Sequence, residues 1–230
     1  MSVVDEAAAL ASRLAHRLKK RGWTISTAES CTGGLLASLL TDISGASSWF
    51  LQGWVVYTNE SKSRELGVAK SSFEEGAEGS VSNKVAVQMA RGARYKSGSN
   101  VSVAITGIAG PAAADSDKEV GRVHVAVIAE DFFLARRMDF GVNDRLDNKR
   151  SFASFALRLT LETFDRLSSD ENDKQSRNKP PLDSLEEDEN TEEGQISEEW
   201  EGVIAWDSDE DAISRSLDKV DLASLTDWDE

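Results

Sequence analysis

Three side chains that together can drive acyl transfer are Ser30, Tyr57 and Lys62. A serine hydroxyl becomes a nucleophile only when a base takes its proton, and a partly desolvated lysine can be that base. Ser30 lies in the stretch Thr27-Ala28-Glu29-Ser30-Cys31-Thr32-Gly33-Gly34. A β-like run, Trp23-Thr24-Ile25-Ser26, precedes it, and an apolar run, Leu35-Leu36-Ala37-Ser38-Leu39-Leu40, follows. A strand that stops at small polar residues before a helix would put Ser30 and Cys31 at a helix N-terminus. Unpaired N–H groups and the positive end of the helix dipole gather there, where an oxyanion is stabilised. A plainer reading stands beside this one: Ser30 or Thr32 caps the helix, the glycines allow close packing, and Lys62 is a solvated surface charge.

Other chemistries find less support. His16 falls in a helical pattern and His124 in a strand pattern, and no His or Cys pair has metal-ligand spacing, so no metal site is expected. Asp207, Asp209, Asp211 and Asp218 imitate a calcium loop, but Ala212 stands where the turn glycine belongs. There is no phosphate loop ending in Gly-Lys-Ser/Thr, and Gly107-Ile108-Ala109-Gly110 lacks the third glycine of a dinucleotide fingerprint.

The elements that must hold these residues follow from periodicity. Asp5 to Arg21 reads as a helix with Ala7, Leu10, Ala11, Leu14 and Leu18 on one face, ended by Gly22. A second helix should run from Leu35 to near Gly45. Phe50 to Tyr57 reads as a strand, and Asn59 as the cap of a short helix, Glu60 to Leu66, that Gly67 ends. Ser82 opens another helix. Val101 to Thr106 reads as a strand, and Gly121–Ala129 and Phe132–Phe140 as an antiparallel pair joined at Glu130-Asp131. Asn143 is expected to cap a long helix to Leu167, with Phe152, Phe155, Ala156, Leu159 and Phe164 inward. Early alternation and a late hairpin predict an α/β domain with a mixed sheet. The junctions after Ser26 and Thr106 should meet at one sheet edge, where ligands of open α/β sheets bind.

Charge divides the 230 residues unevenly. Residues 168–230 hold 22 acidic and 5 basic residues, whereas residues 1–167 hold 19 and 21. The first part is expected to be one folded domain, and residues 168–230 an acidic, mostly disordered tail. That tail carries Trp200, Ile204, Trp206, Leu222, Leu225 and Trp228 among its acids, so it is either a binding segment for a protein partner or a solubilising tail with incidental tryptophans. A near-neutral domain and an acidic tail argue against nucleic-acid binding. The lone Cys31 suggests a reducing, cytoplasmic setting. No stretch is apolar enough to span a membrane, and Met1 to Lys20 does not have the uninterrupted apolar core of a secretory signal.

The stretch Thr27–Gly34 resembles the signature of the C-terminal domain of competence/damage-inducible protein A (CinA), which also occurs alone as the nicotinamide-nucleotide amidase. Further blocks stand in the family's order: Ser47-Ser48-Trp49-Phe50, Gly53, Tyr57-Thr58-Asn59-Glu60-Ser61-Lys62, Gly67-Val68, Val81-Ser82, Met89-Ala90, Thr106-Gly107-Ile108-Ala109-Gly110-Pro111, Val120-Gly121 and Asp144-Arg145. The resemblance covers roughly residues 5–167. It implies a three-layer α/β/α domain that self-associates as a homo-oligomer. The implied reaction is hydrolysis of the carboxamide of nicotinamide mononucleotide to nicotinate mononucleotide and ammonia, by a serine–lysine pair with no metal and no cofactor. Carried over residue by residue, Ser30 is the nucleophile, Lys62 its base, and Ser48 and Tyr57 assist proton transfer or orientation. Cys31, Thr32, Gly33, Asn59, Thr106 and Gly107 line the substrate site, and Arg145 pairs with the phosphate of the pyridine nucleotide. The chain departs from the family at Ala112-Ala113-Ala114, where glycines are usual, at Glu119, and at Glu78-Gly79-Ser80. The alternative is therefore a catalytically altered member that binds a ligand and recruits a partner through its acidic tail.

Overall fold

The structure, a computed structural model, describes residues 3–111, 118–175 and 190–195. In chain order the elements are α1 (Val3–Arg21), β1 (Ile25–Glu29), α2 (Leu35–Thr41), β2 (Phe50–Val55), α3 (Asn59–Leu66), α4 (Asn83–Ser97), β3 (Val101–Gly107), β4 (Arg122–Ala129), β5 (Phe132–Asp139), α5 (Arg145–Gln175) and β6 (Thr191–Gln195). Short 3-10 turns stand at Ala46–Ser48 and Lys70–Phe73. The sheet order is β2-β1-β3-β4-β5-β6. β2, β1 and β3 are parallel, and β3 through β6 pair antiparallel. This is the expected mixed α/β fold.

The sheet is buried on both faces, which makes three layers. Alternate residues of β1 and β3 go to opposite sides: Ile25, Val101, Val103 and Ile105 join α1, α2 and α5, whereas Ala28 and Ala104 join α3 and α4. On the first side Leu14, Leu18, Trp49, Phe152 and Phe164 are essentially sealed from solvent. Each such large side chain contributes about 1.5–3 kcal/mol. The faces read from periodicity in α1 and α5 are the buried faces.

Several boundaries shift for identifiable reasons. β1 runs three residues beyond Ser26, through Thr27, Ala28 and Glu29, because parallel neighbours on both sides cover these small or polar residues. The cap of α3 is Thr58 rather than Asn59; Thr58 and Ser61 form a reciprocal capping box. Asn143 donates to the Phe140 carbonyl (2.9 Å) instead of capping α5, and the Asp144 carboxylate accepts from the Leu146 N–H at 2.8 Å in its place. α5 continues to Gln175. The acidic segment, expected to stay outside the fold, supplies β6 on the edge of β5. The apolar residues singled out further along it, from Trp200 to Trp228, and Ala112–Ala114 lie outside the described residues, as do the aspartates of the imitation calcium loop.

Candidate functional site

The C-terminal ends of β1, β2 and β3 lie side by side, since Glu29 pairs with both Val55 and Ile105. The turn Ser30–Gly34 leaves β1 between the other two. Its start is fixed by the Ser30 N–H, which donates to Ile105 O at 3.0 Å, and its bend by the Gly33 N–H, which donates to Ser30 O at 3.1 Å. Gly33 and Gly34 hold φ of +64° and +95°, a region that favours glycine. Ser30 and Cys31 are buried.

The helix N–H groups are not where the sequence suggested. α2 begins at Leu35, and the buried carboxylate of Glu29 accepts from the N–H groups of Gly34 (3.1 Å), Leu36 (3.0 Å) and Ala37 (2.8 Å). Glu29 therefore caps α2 from the preceding strand, where its negative charge also meets the positive helix end. The N–H groups left for an anion are those of Cys31 and Thr32, which donate to no oxygen among the described residues.

Lys62 comes to this turn from α3. It is 2% exposed, and its Nζ donates to Tyr57 O at 3.3 Å. Burial lowers its pKa below the ordinary lysine value, and the nearby Cys31 acts weakly the other way. The helix that carries it packs tightly on α4. Gly92 of α4 lets α3 approach so closely that a Cβ there would lie 2.0 Å from Leu66 O. Cys31 itself is pushed up to about 12, chiefly by burial, so it stays a neutral thiol.

Arg145, at the start of α5, donates to the Tyr57 hydroxyl at 2.7 Å and to the Gly110 carbonyl. The Tyr57 phenol is thus turned to Arg145, and its main-chain carbonyl meets Lys62. Thr106 is buried and its hydroxyl donates to Ser80 O at 2.7 Å, so it does not present that hydroxyl to a pocket. Gly107 permits close approach of β4, with Arg122 O only 2.7 Å from where its Cβ would be. Thr32 is sealed, and its Oγ1 has no partner among the described residues. Asn59 is exposed at the first turn of α3.

Ser48 is not brought to this end. It precedes β2, its hydroxyl donates to Gly45 O at 2.9 Å, and the neighbouring Trp49 O accepts from Ile25 N at the opposite end of β1. The five residues of β1 separate it from Ser30 by roughly 16 Å along the strand. Spacing in sequence hid this, because β2 runs parallel to β1 and so starts at the far edge.

Two residues went unread in the sequence. Glu29 was seen only as part of a signature, although a carboxylate shortly before an apolar helix is a capping signal. Lys149 follows Arg145 by one helical turn, a spacing that puts both on one face; its Nζ lies 3.5 Å from where a Gly33 Cβ would stand. Lys62, Arg145 and Lys149 thus surround the turn with three basic side chains. Among the described residues no group of three His, Cys, Asp or Glu is placed to hold a metal, and no helix is long and apolar enough to cross a membrane.

Known proteins share this fold. A model of the CinA C-terminal domain matches residues 7–164. A nicotinamide-nucleotide amidohydrolase, PncC, of Enterobacter agglomerans is 38% identical over 156 residues, covering 67% of this chain and 93% of that protein. A CinA-like protein of Geotalea daltonii is 46% identical over 142 residues, which is 61% of this chain but 34% of that protein. The chain spans about a third of the length of such CinA-like relatives. Among solved structures, a CinA superfamily protein of Escherichia coli superposes with a TM-score of 0.66 at 32% identity, over 71% of this chain and 93% of the other. The competence/damage inducible protein CihA of Agrobacterium tumefaciens gives 0.65 at 39% identity, over 68% and 94%. From residue 7 to residue 164, the chain belongs to the CinA C-terminal domain family.

Proposed function

We propose that this protein is an amidohydrolase that converts nicotinamide mononucleotide to nicotinate mononucleotide and ammonia. The observation that carries the reading is the burial of Lys62 against the Ser30–Gly34 turn: desolvation favours its neutral amine, the form a general base needs. In this reading the neutral Lys62 amine takes the Ser30 Oγ proton as Oγ bonds to the carboxamide carbon. The oxyanion that forms is held by the N–H groups of Cys31 and Thr32. As it collapses, the amide nitrogen takes the proton from Lys62 and leaves as ammonia. Water then attacks the acyl-serine, with Lys62 again the base, and releases the carboxylate. Arg145 and Lys149 bind the nucleotide phosphate, for which a guanidinium fork is suited. The relative named as a nicotinamide-nucleotide amidohydrolase supports the substrate class.

The test is ammonia release from nicotinamide mononucleotide by the full chain, with Ser30→Ala as control. Because Lys62 must be neutral, the rate should rise with pH through its depressed titration and level off above it. Binding of the mononucleotide without ammonia release would favour the alternative, a ligand-binding member of the family.

A further inference from the structure

His124 lies outside the serine–lysine pair, yet it is buried and stands directly opposite Thr106 in the β3–β4 ladder. Its Nδ1 is 2.8 Å from Asn83 Oδ1. Asn83 Nδ2 donates in turn to Glu192 Oε1 at 3.1 Å. A carboxylate only accepts, so the nitrogen of the Asn83 amide must face Glu192 and its oxygen must face His124. An amide oxygen also only accepts, so His124 Nδ1 must carry a proton. Burial, aided by the charges of Lys118, Arg137 and Arg122, pushes His124 down to about 4, so near neutral pH the ring carries one proton only. Nε2 is then left as an acceptor.

Glu192 arrives on β6, and several contacts seat that strand. The Arg137 N–H donates to Asn190 O at 3.0 Å. Arg136 Nε donates to Thr191 Oγ1 at 2.8 Å, and Arg166 forms an ion pair with Glu193. Gly194 lies flat over Phe133, whose Cε1 would be 3.0 Å from a Cβ there. An edge strand offers a row of unpaired N–H and C=O groups, and here an acidic strand from the same chain fills it beside arginines.

We propose that the edge of β5, flanked by Asn83, Arg136 and Arg166, is a docking site for residues 190–195 of the acidic segment, and that the docked Glu192 holds His124 in its Nδ1–H tautomer. Glu192 is a positioning residue in this scheme, acting on the sheet beside Thr106 through Asn83. The inference does not depend on the amidase reading.

The experiment is ¹⁵N NMR of the full chain, reading the two ring nitrogens of His124; the only other histidine is His16, and His16→Gln completes the assignment. The wild type should show a protonated Nδ1 and a bare Nε2. Glu192→Gln should keep that pattern, because its amide oxygen still accepts from Asn83. Glu192→Ala should move the two resonances toward each other as tautomers mix. In the double variant Glu192→Lys/Glu193→Lys, the Arg137 amide should exchange about tenfold or more faster, as its acceptor leaves. A wild-type ring protonated on Nε2, an unchanged ring in Glu192→Ala, or equal Arg137 exchange in wild type and double variant would each overturn the proposal.

Discussion

The two halves of the sheet are built on different terms. In the parallel half, β2, β1 and β3 all point their C-terminal ends one way, so three loops converge. The Ser30–Gly34 turn, the Tyr57–Lys62 segment and the Thr106–Pro111 loop emerge together there. In the antiparallel half, β4, β5 and β6 alternate direction and no such convergence arises. What the antiparallel half has instead is charge pairs along its strands and from them to α5: Arg122 with Asp139 (2.8 Å), Arg136 with Glu162 (2.8 Å), and Arg166 with Glu162 (3.0 Å) and Glu193. Converging ends concentrate buried polar groups in one place, where low dielectric makes each of them chemically potent. Exposed ion pairs are screened, and serve register and docking more than energy.

The largest effects should therefore come from the parallel half. Ser30→Ala is expected to lower turnover on the order of 10⁴-fold or more, the scale seen when a nucleophile is removed. Lys62→Met should do the same to activity while raising the melting temperature, because it replaces a desolvated cation by an apolar side chain of similar length. Ammonia release and thermal melting measured on both variants separate catalysis from folding. Near-normal turnover in a folded Lys62→Met protein would remove the lysine from the chemistry and leave the two halves alike.

The junction of the two halves has its own pH signature. His124 has a native pKa of about 4 against an ordinary 6.5. The unfolded chain therefore binds more protons between these values, and stability rises with pH through that window. The full shift corresponds to about 3 kcal/mol, present above pH 6.5 and lost below about 4. Urea titrations of wild type and His124→Gln across that range should show the wild-type slope reduced in the variant. Parallel slopes in the two proteins would mean that His124 titrates normally.

Glu29→Gln tests what holds the site's turn in place. The amide must point its NH₂ at a backbone donor that the carboxylate now satisfies. An unsatisfied buried donor costs about 1–3 kcal/mol, so chemical denaturation should show a loss of that size. Turnover should fall as well, although Glu29 faces the helix rather than the ligand. A stable, fully active Glu29→Gln protein would show that the turn holds itself.

Much of this was legible in the sequence, for particular reasons. The helical faces of α1 and α5 were readable because burial repeats at three and four residues, and the β4–β5 hairpin because two β-prone runs flank the short Glu130-Asp131 joint. The polar end of β1 was missed since Thr27 and Glu29 look like loop residues until parallel neighbours cover them. Ser48 was grouped with Ser30 because a signature preserves order but not the direction of a strand. β6 was invisible: Thr-Glu-Glu-Gly-Gln has little strand preference, and only the arginines and the open edge of β5 give it a place.

The smallest effect should come from the ion pair that helps seat that strand. The side chains of Arg166 and Glu193 are 32% and 50% exposed, and Arg166 also bonds Glu162. Such pairs contribute roughly 0.2–1 kcal/mol. A double-mutant cycle of Arg166→Ala and Glu193→Ala, read by thermal melting at low salt, should give a coupling in that range. The coupling should fade toward zero at about 1 M salt, where the screening length is about 3 Å. The Asn83–Glu192 bond has one uncharged partner, so it depends less on ionic strength, and β6 should remain docked when the ion pair is silent. Amide exchange of Arg137 at high salt tests this directly. If its protection disappears together with the coupling, charge rather than the ladder holds the strand, and the contrast between the two halves becomes sharper still.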